Sequence, residues 1–186
     1  MPVYSYDPPD RFVAGTVGTP GERTFYLQAR ARGRVTSVAL EKFQVSLLAE
    51  RLDELLDEVL RRTGGQTSVP AATPAELADD EPLDLPLMED FRVGAIALAW
   101  DGEDERVVIE AQEESETPVE PLAEEIPENG PDVLRVRITA ATARAFSQRA
   151  LRIIAQGRPP CPLCGLPLDN DGHICPRQNG HRAANG

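Results

Sequence analysis

The chain has 186 residues, 41% of them hydrophobic and 27% charged, which suffices for one buried core and leaves a well-solvated surface. Its net charge is −12, and residues 158–186 carry three arginines against two aspartates, so the first 157 residues are more acidic still. Such a body repels phosphate backbones, which disfavours broad nucleic-acid binding. No apolar run approaches the length of a membrane span, and Met1-Pro2-Val3-Tyr4 does not read as a signal peptide, so a cytoplasmic protein is expected.

In chain order, a proline-rich lead (Tyr4 to Asp10) precedes a predicted strand, Arg11 to Val17, which Gly18-Thr19-Pro20-Gly21 stops. Thr24 to Ala29 and Val35 to Leu40 read as two further strands, the first two forming a hairpin. From about Lys42 to Arg62 the period changes to that of a helix. Val45, Leu48, Leu52, Leu55, Leu56 and Val59 fall on one face and acids on the other, with Asp57→Arg61 and Glu58→Arg62 as i,i+4 ion pairs. Gly64-Gly65 ends that helix. Residues 64–90 then read as an acidic, proline-rich linker, with Thr73-Pro74-Ala75-Glu76 in the form of a capping box. Strands return at Phe91 to Trp100, Arg106 to Gln112 and Val133 to Ile138, the last two separated by an acidic loop from Glu113 to Pro131. Thr139 or Thr142 caps a closing helix to about Gln156, with Ala143, Phe146, Ala150, Ile153 and Ile154 inward.

Three strands and a helix thus occur twice. A shift of 98 residues carries Val35, Val38 and Leu40 onto Val133, Val136 and Ile138, and Val45, Leu48 and Leu52 onto Ala143, Phe146 and Ala150. Upstream, a shift of 82 carries Phe25, Leu27 and Ala29 onto Val107, Ile109 and Ala111. The expected fold is therefore α+β: a tandem βββα duplication giving a six-stranded sheet with two helices on one face, plus a small C-terminal zinc-knuckle tail. The boundaries are a body at 1–157 (repeat one 11–63, linker 64–90, repeat two 91–157) and the tail at 158–186.

All three cysteines and both histidines lie in that tail, in CPLCGLPLDNDGHICPRQNGH. Cys161 and Cys164 form a C-x2-C pair, Cys175 follows, and either His173 or His181 makes the fourth ligand. A closed Cys3His set suits structural zinc. His173 is the preferred partner, because it alternates with Cys175 in a hairpin turning at Asp169-Asn170-Asp171-Gly172. A disulfide leaves one cysteine over, and Pro162 and Pro167 oppose the helix that a redox C-x-x-C needs.

Outside the tail the candidates are thinner. Glu41-Lys42-Phe43-Gln44 sits at a strand-to-helix junction, where helix capping explains Glu41 more simply than catalysis does. Trp100-Asp101 ends a strand. Glu113, Glu114, Glu116, Glu120, Glu124 and Glu125 read as a solvated loop. No histidine lies outside the tail, so general-base chemistry lacks its usual residue and no catalytic residues are assigned.

The segments VALEKFQVSLLAERLDELLDEV, DFRVGAIALAWD and the tail CPLCGLPLDNDGHICPRQNGHR resemble a family of uncharacterised actinobacterial proteins of this length. The resemblance covers nearly the whole chain and singles out Cys161, Cys164, His173 and Cys175. It implies partners among neighbouring gene products, one histidine-phosphatase-like and one phosphoinositide-kinase-like. In relatives the end corresponding to His181 varies, and Phe43 replaces a polar residue. The expected function is a cytoplasmic, non-catalytic binding or adaptor protein with structural zinc. The alternative is a carboxylate-dependent enzyme using a cleft between the repeats near Glu41 and Trp100. Nucleic-acid binding through the tail is the third reading.

Overall fold

The computed structural model describes residues 2–157, 161–166, 168 and 175–177. The elements in order are β1 (Val3–Tyr6), β2 (Arg11–Val17), β3 (Thr24–Ala31), β4 (Arg34–Leu40), α1 (Lys42–Thr63), a 3-10 turn (Ala75–Leu77), β5 (Glu89–Asp101), β6 (Arg106–Glu113), β7 (Val133–Thr139) and α2 (Ala140–Ala155). Three strands followed by a helix occur twice, as the sequence pattern implies. The sheet has seven strands, however, in the order β1-β7-β6-β5-β4-β3-β2. The added strand is β1, inside the stretch expected to be a mere lead, and it pairs parallel with β7 from Val3↔Val133 to Tyr6↔Val136. Four residues beside two prolines are too short a run for periodicity to reveal. Burial of Tyr6, whose hydroxyl meets Thr36 Oγ1 at 2.7 Å, holds the strand in place.

That contact also shows that the sheet curls. Flat, seven strands spaced ~4.8 Å apart would separate the edges by about 29 Å. Edge strands β1 and β2 are joined only by residues 7–10, a link that reaches roughly 17 Å at most. The ends are therefore drawn together, and α2 packs on both β2 and β7. Phe12 of β2 stacks on Phe146 of α2 with ring centroids 4.7 Å apart.

The concave face and both helices share one core. Leu27, Val38, Leu52, Leu56 and Ala143 have no exposed surface, and burying each aliphatic side chain contributes about 1.5–3 kcal/mol against chain entropy. Small residues let the helices meet closely, so Ser147 Oγ of α2 donates to the Ala49 carbonyl of α1 at 2.7 Å. Helix α1 starts in a reciprocal capping box between Glu41 and Gln44 and ends at Gly64, whose φ of 60° is left-handed. Of the two ion pairs expected along α1, Glu58–Arg62 forms at 2.6 Å. Asp57 does not pair with Arg61. It binds Arg144 of α2 at 2.6 Å, and Arg61 turns back to Glu58.

The convex face is covered by chain that has almost no regular structure. Gln28 lies between inward-facing Leu27 and Ala29 and so points outward. Its amide donates to the Asp84 carbonyl at 3.1 Å and accepts from the Asp84 N–H at 2.7 Å. Arg11 and Arg149 grip Asp79 at 2.7 and 3.1 Å. Leu83 lies flat on Gly15, where a Cβ would come within 2.4 Å of its Cδ2. Within 64–90, the capping box expected at Thr73 is absent. A short helical turn does form there, as the 3-10 turn, but its N-cap is Pro74, whose ring offers no acceptor, so no side-chain cap is made.

In β5 a bulge at Gly94 shifts the register against β6. A Cβ there would stand 2.7 Å from Glu114 Cα, so the crossing requires glycine. Beyond the bulge, Ile96, Leu98 and Trp100 turn to the core side, opposite Ala111, Ile109 and Val107. No helix among the described residues is long and apolar enough to cross a membrane.

Candidate metal centre

Helix α2 delivers the chain to a knuckle built on Cys161-Pro162-Leu163-Cys164-Gly165. The Gly165 N–H donates to the Cys161 carbonyl at 2.8 Å, and the Cys161 N–H to the Leu166 carbonyl at 2.7 Å. Gly165 adopts a φ of 77°, a left-handed conformation that glycine takes without a steric penalty and that closes the turn. The loop thereby aims its amides inward. The backbone N–H of Cys164, then that of Leu163, draws the Cys161 thiol below its ordinary pKa.

Cys175 approaches this turn from further along the chain. The three sulfurs lie within 4.8 Å of one another, and Cys161 and Cys175 are buried. The Leu166 N–H pulls the Cys164 thiol down, but burial and the neighbouring sulfurs of Cys161 and Cys175 outweigh it and leave the thiol raised. Several sulfurs thus compete for one place to carry negative charge, a conflict that a bound divalent cation removes.

Spacing discriminates between the chemical readings. Cys161 Sγ and Cys175 Sγ are 4.0 Å apart. A disulfide requires about 2.05 Å, whereas tetrahedral Zn–S bonds of ~2.3 Å set sulfurs about 3.8 Å apart. Cys161, Cys164 and Cys175 form no disulfide. The residues present therefore fit a soft, tetrahedral metal ion. His173, His181 and the turn from Asp169 to Gly172 lie outside the described residues.

The other candidates are placed by the body. Glu41 caps α1 and pairs with Arg92 at 2.8 Å, and Gln44 reaches the Val93 carbonyl at 3.3 Å. Trp100 packs against the core, and Asp101 pairs with Arg137 and accepts from the Glu103 N–H at 3.0 Å, holding the β5–β6 turn. The groove beside α1 contains Glu54 and Glu58, each already paired with an arginine, and Glu58 is drawn below its ordinary value by Arg61 and Arg62. One carboxyl among the described residues, Asp132, is pushed up by burial and then by Glu113 and Asp90. The long loop from Glu113 is partly tied down, its Leu122 N–H donating to Glu110 at 2.9 Å.

Sequence reasoning missed the buried arginines. Arg144 and Arg149 are each 6% exposed, one joining α2 to Asp53 and Asp57 of α1, the other donating to the Ala14 carbonyl of β2. A signal existed: both interrupt the apolar face of a helix otherwise read as inward.

The molecule is thus an α+β protein with a cysteine cluster near its C-terminal end. It belongs to the family described as protein of unknown function (DUF3090), whose model matches residues 4–175. That match takes in Cys161, Cys164, His173 and Cys175 and stops before His181. No curated protein and no solved structure matches the chain.

Proposed function

We propose that this is a non-catalytic binding or adaptor protein of the cytoplasm whose C-terminal knuckle is locked by structural zinc on Cys161, Cys164, His173 and Cys175. The observation carrying this reading is the convergence of three cysteine sulfurs, two of them on buried residues, at metal-ligand spacing. Histidine completes a Cys3His set, and the family match favours His173 over His181 because it ends between them. A closed set of four protein ligands leaves no position for substrate, so the ion would hold the turn together and leave binding to the surface. A thiolate metal site suits a reducing compartment, where cysteines are kept from pairing as disulfides.

The scaffold on which it stands is, in this reading, a tandem duplication. Its support is the repeated βββα order and an equivalence of buried polar positions. The shift of 82 that maps Leu27 to Ile109 maps Gln28 to Glu110, and the shift of 98 maps Ser37 to Arg135. Gln28 bonds Ser37 at 3.0 Å, and Glu110 bonds Arg135 at 2.6 Å.

The test is capture from lysate on the immobilised full chain, with and without a chelator, probing first for the histidine-phosphatase-like and phosphoinositide-kinase-like proteins. The expected result is a stoichiometric partner retained only with metal bound. Turnover of any member of a phosphoester panel by the purified chain would overturn the non-catalytic assignment.

A further inference from the structure

We propose that the free edge of β5 and the flank of α1 beside it form the interface through which two copies of this chain pair as a two-fold dimer. This inference rests on the body alone and is independent of the metal reading. Val93 to Trp100 is an eight-residue run without charge in a chain of net charge −12. β4 pairs with β5 only between Glu89 and Arg92, whereas β6 pairs along the other side as far as Asp101. Among the described residues no strand pairs with the β4 side of β5 from Gly94 to Asp101. Its backbone groups there are a template for another strand.

The remaining edges are protected. β1 has four residues, and on β2 the Ala14 carbonyl is taken by Arg149. Among the described residues, only at β5 does a long apolar edge stand next to an apolar helix flank. The groove between them has a volume of about 690 Å³ and is lined by Phe43, Leu47, Leu55, Ile96 and Leu98. Phe43 is 67% exposed and Leu47 48%.

The pattern of this strip identifies a second copy as its occupant. The run is bounded by Arg92 at one end and Asp101 at the other, opposite charges at opposite ends. Antiparallel self-pairing centred on Ala97 sets Ile96 against the partner's Leu98 and Ala95 against the partner's Ala99. The facing pairs from Gly94 to Trp100 are then apolar or small, and at each end the partner's Asp101 faces Val93, one residue inside Arg92. A two-fold axis normal to the sheet also brings the two α1 helices together above the strand pair. One isologous contact thereby covers the open edge and the exposed Phe43 and Leu47 in both copies.

Light scattering coupled to size exclusion, run on the full chain over a wide concentration range, tests this. The expected result is a concentration-dependent dimer that tightens as salt rises, since screening weakens repulsion between two acidic bodies. The double variant Phe43→Glu/Leu47→Glu changes only exposed side chains and should weaken dimerisation roughly tenfold or more. Ala97→Lys, on the opposite face of the strand, should do the same, with an unchanged circular-dichroism spectrum verifying the fold of both. A chain monomeric at every concentration, or a dimer that both variants leave intact, overturns the proposal.

Discussion

The two βββα units solve one problem with different chemistry. On the middle strand of each, a polar side chain lies buried on the convex face and ties down an irregular segment: Gln28 in the first, Glu110 in the second. A glutamine carries both donor and acceptor, so Gln28 alone grips the Asp84 carbonyl and N–H. A carboxylate only accepts. Glu110 takes the Leu122 N–H at 2.9 Å, and Arg135 supplies the missing donor, reaching the Ala123 carbonyl at 2.8 Å. The comparison shows that burial fixes where a polar tether stands, and the partner on the next strand, Ser37 or Arg135, decides whether it carries charge.

The largest effect tests whether the units are one body. Leu52→Asp puts a carboxylate where no surface is exposed in a core shared by both helices, and the whole chain should lose its cooperative melt. An unshifted melt would contradict the assignment of α1 to that core. Next, Gln28→Glu should cost about 3 kcal/mol or more in urea unfolding, because Ser37 offers no countercharge. Glu110→Gln should cost less, about 2 kcal/mol, because its amide N–H2 would face only donors, of which half-buried Arg135 alone can turn to water. Equal costs would erase the distinction between the two tethers.

A third substitution acts on the first unit's strap. Asp79→Ala removes the acceptor of Arg11 and of buried Arg149, and about 2 kcal/mol is expected near neutral pH. Hydrogen bonding from Arg11, opposed by burial, holds the folded Asp79 below the ordinary aspartate value. Its contribution is therefore complete above about pH 4 and disappears as pH falls through the folded value. Melting temperatures of variant and parent should converge in acid, and a gap that persists there would exclude this source. Smallest are the helix starts. Glu41→Ala and Thr139→Ala should each cost about 1 kcal/mol in urea unfolding, one removing half of a capping box and the other the hydroxyl that accepts from the Thr142 N–H at 3.1 Å.

Much of this architecture was legible in the chain itself, for reasons that explain the gaps. Both helices and six strands follow from apolar period and turn residues, and Gly64 and Thr139 end and begin helices where expected. β1 escaped because four residues do not establish a period, and Tyr6 is held by Thr36 across the curl, a contact that local pattern does not encode. The straps escaped because proline-rich acidic sequence ordinarily marks solvated chain. Here Asp79 and Asp84 meet arginines some 54 to 70 residues away. In the tail, spacing alone picked out Cys161, Cys164 and Cys175, since a C-x2-C turn fixes two ligands and leaves little freedom for the third.

The central claim, that these sulfurs and one histidine hold a single ion, is tested most directly by elemental analysis of the purified chain and its variants. One zinc per chain is expected, lost in Cys164→Ser and His173→Ala and kept in His181→Ala. A parent chain free of stoichiometric metal, or zinc retained after both Cys164 and His173 are replaced, would contradict it.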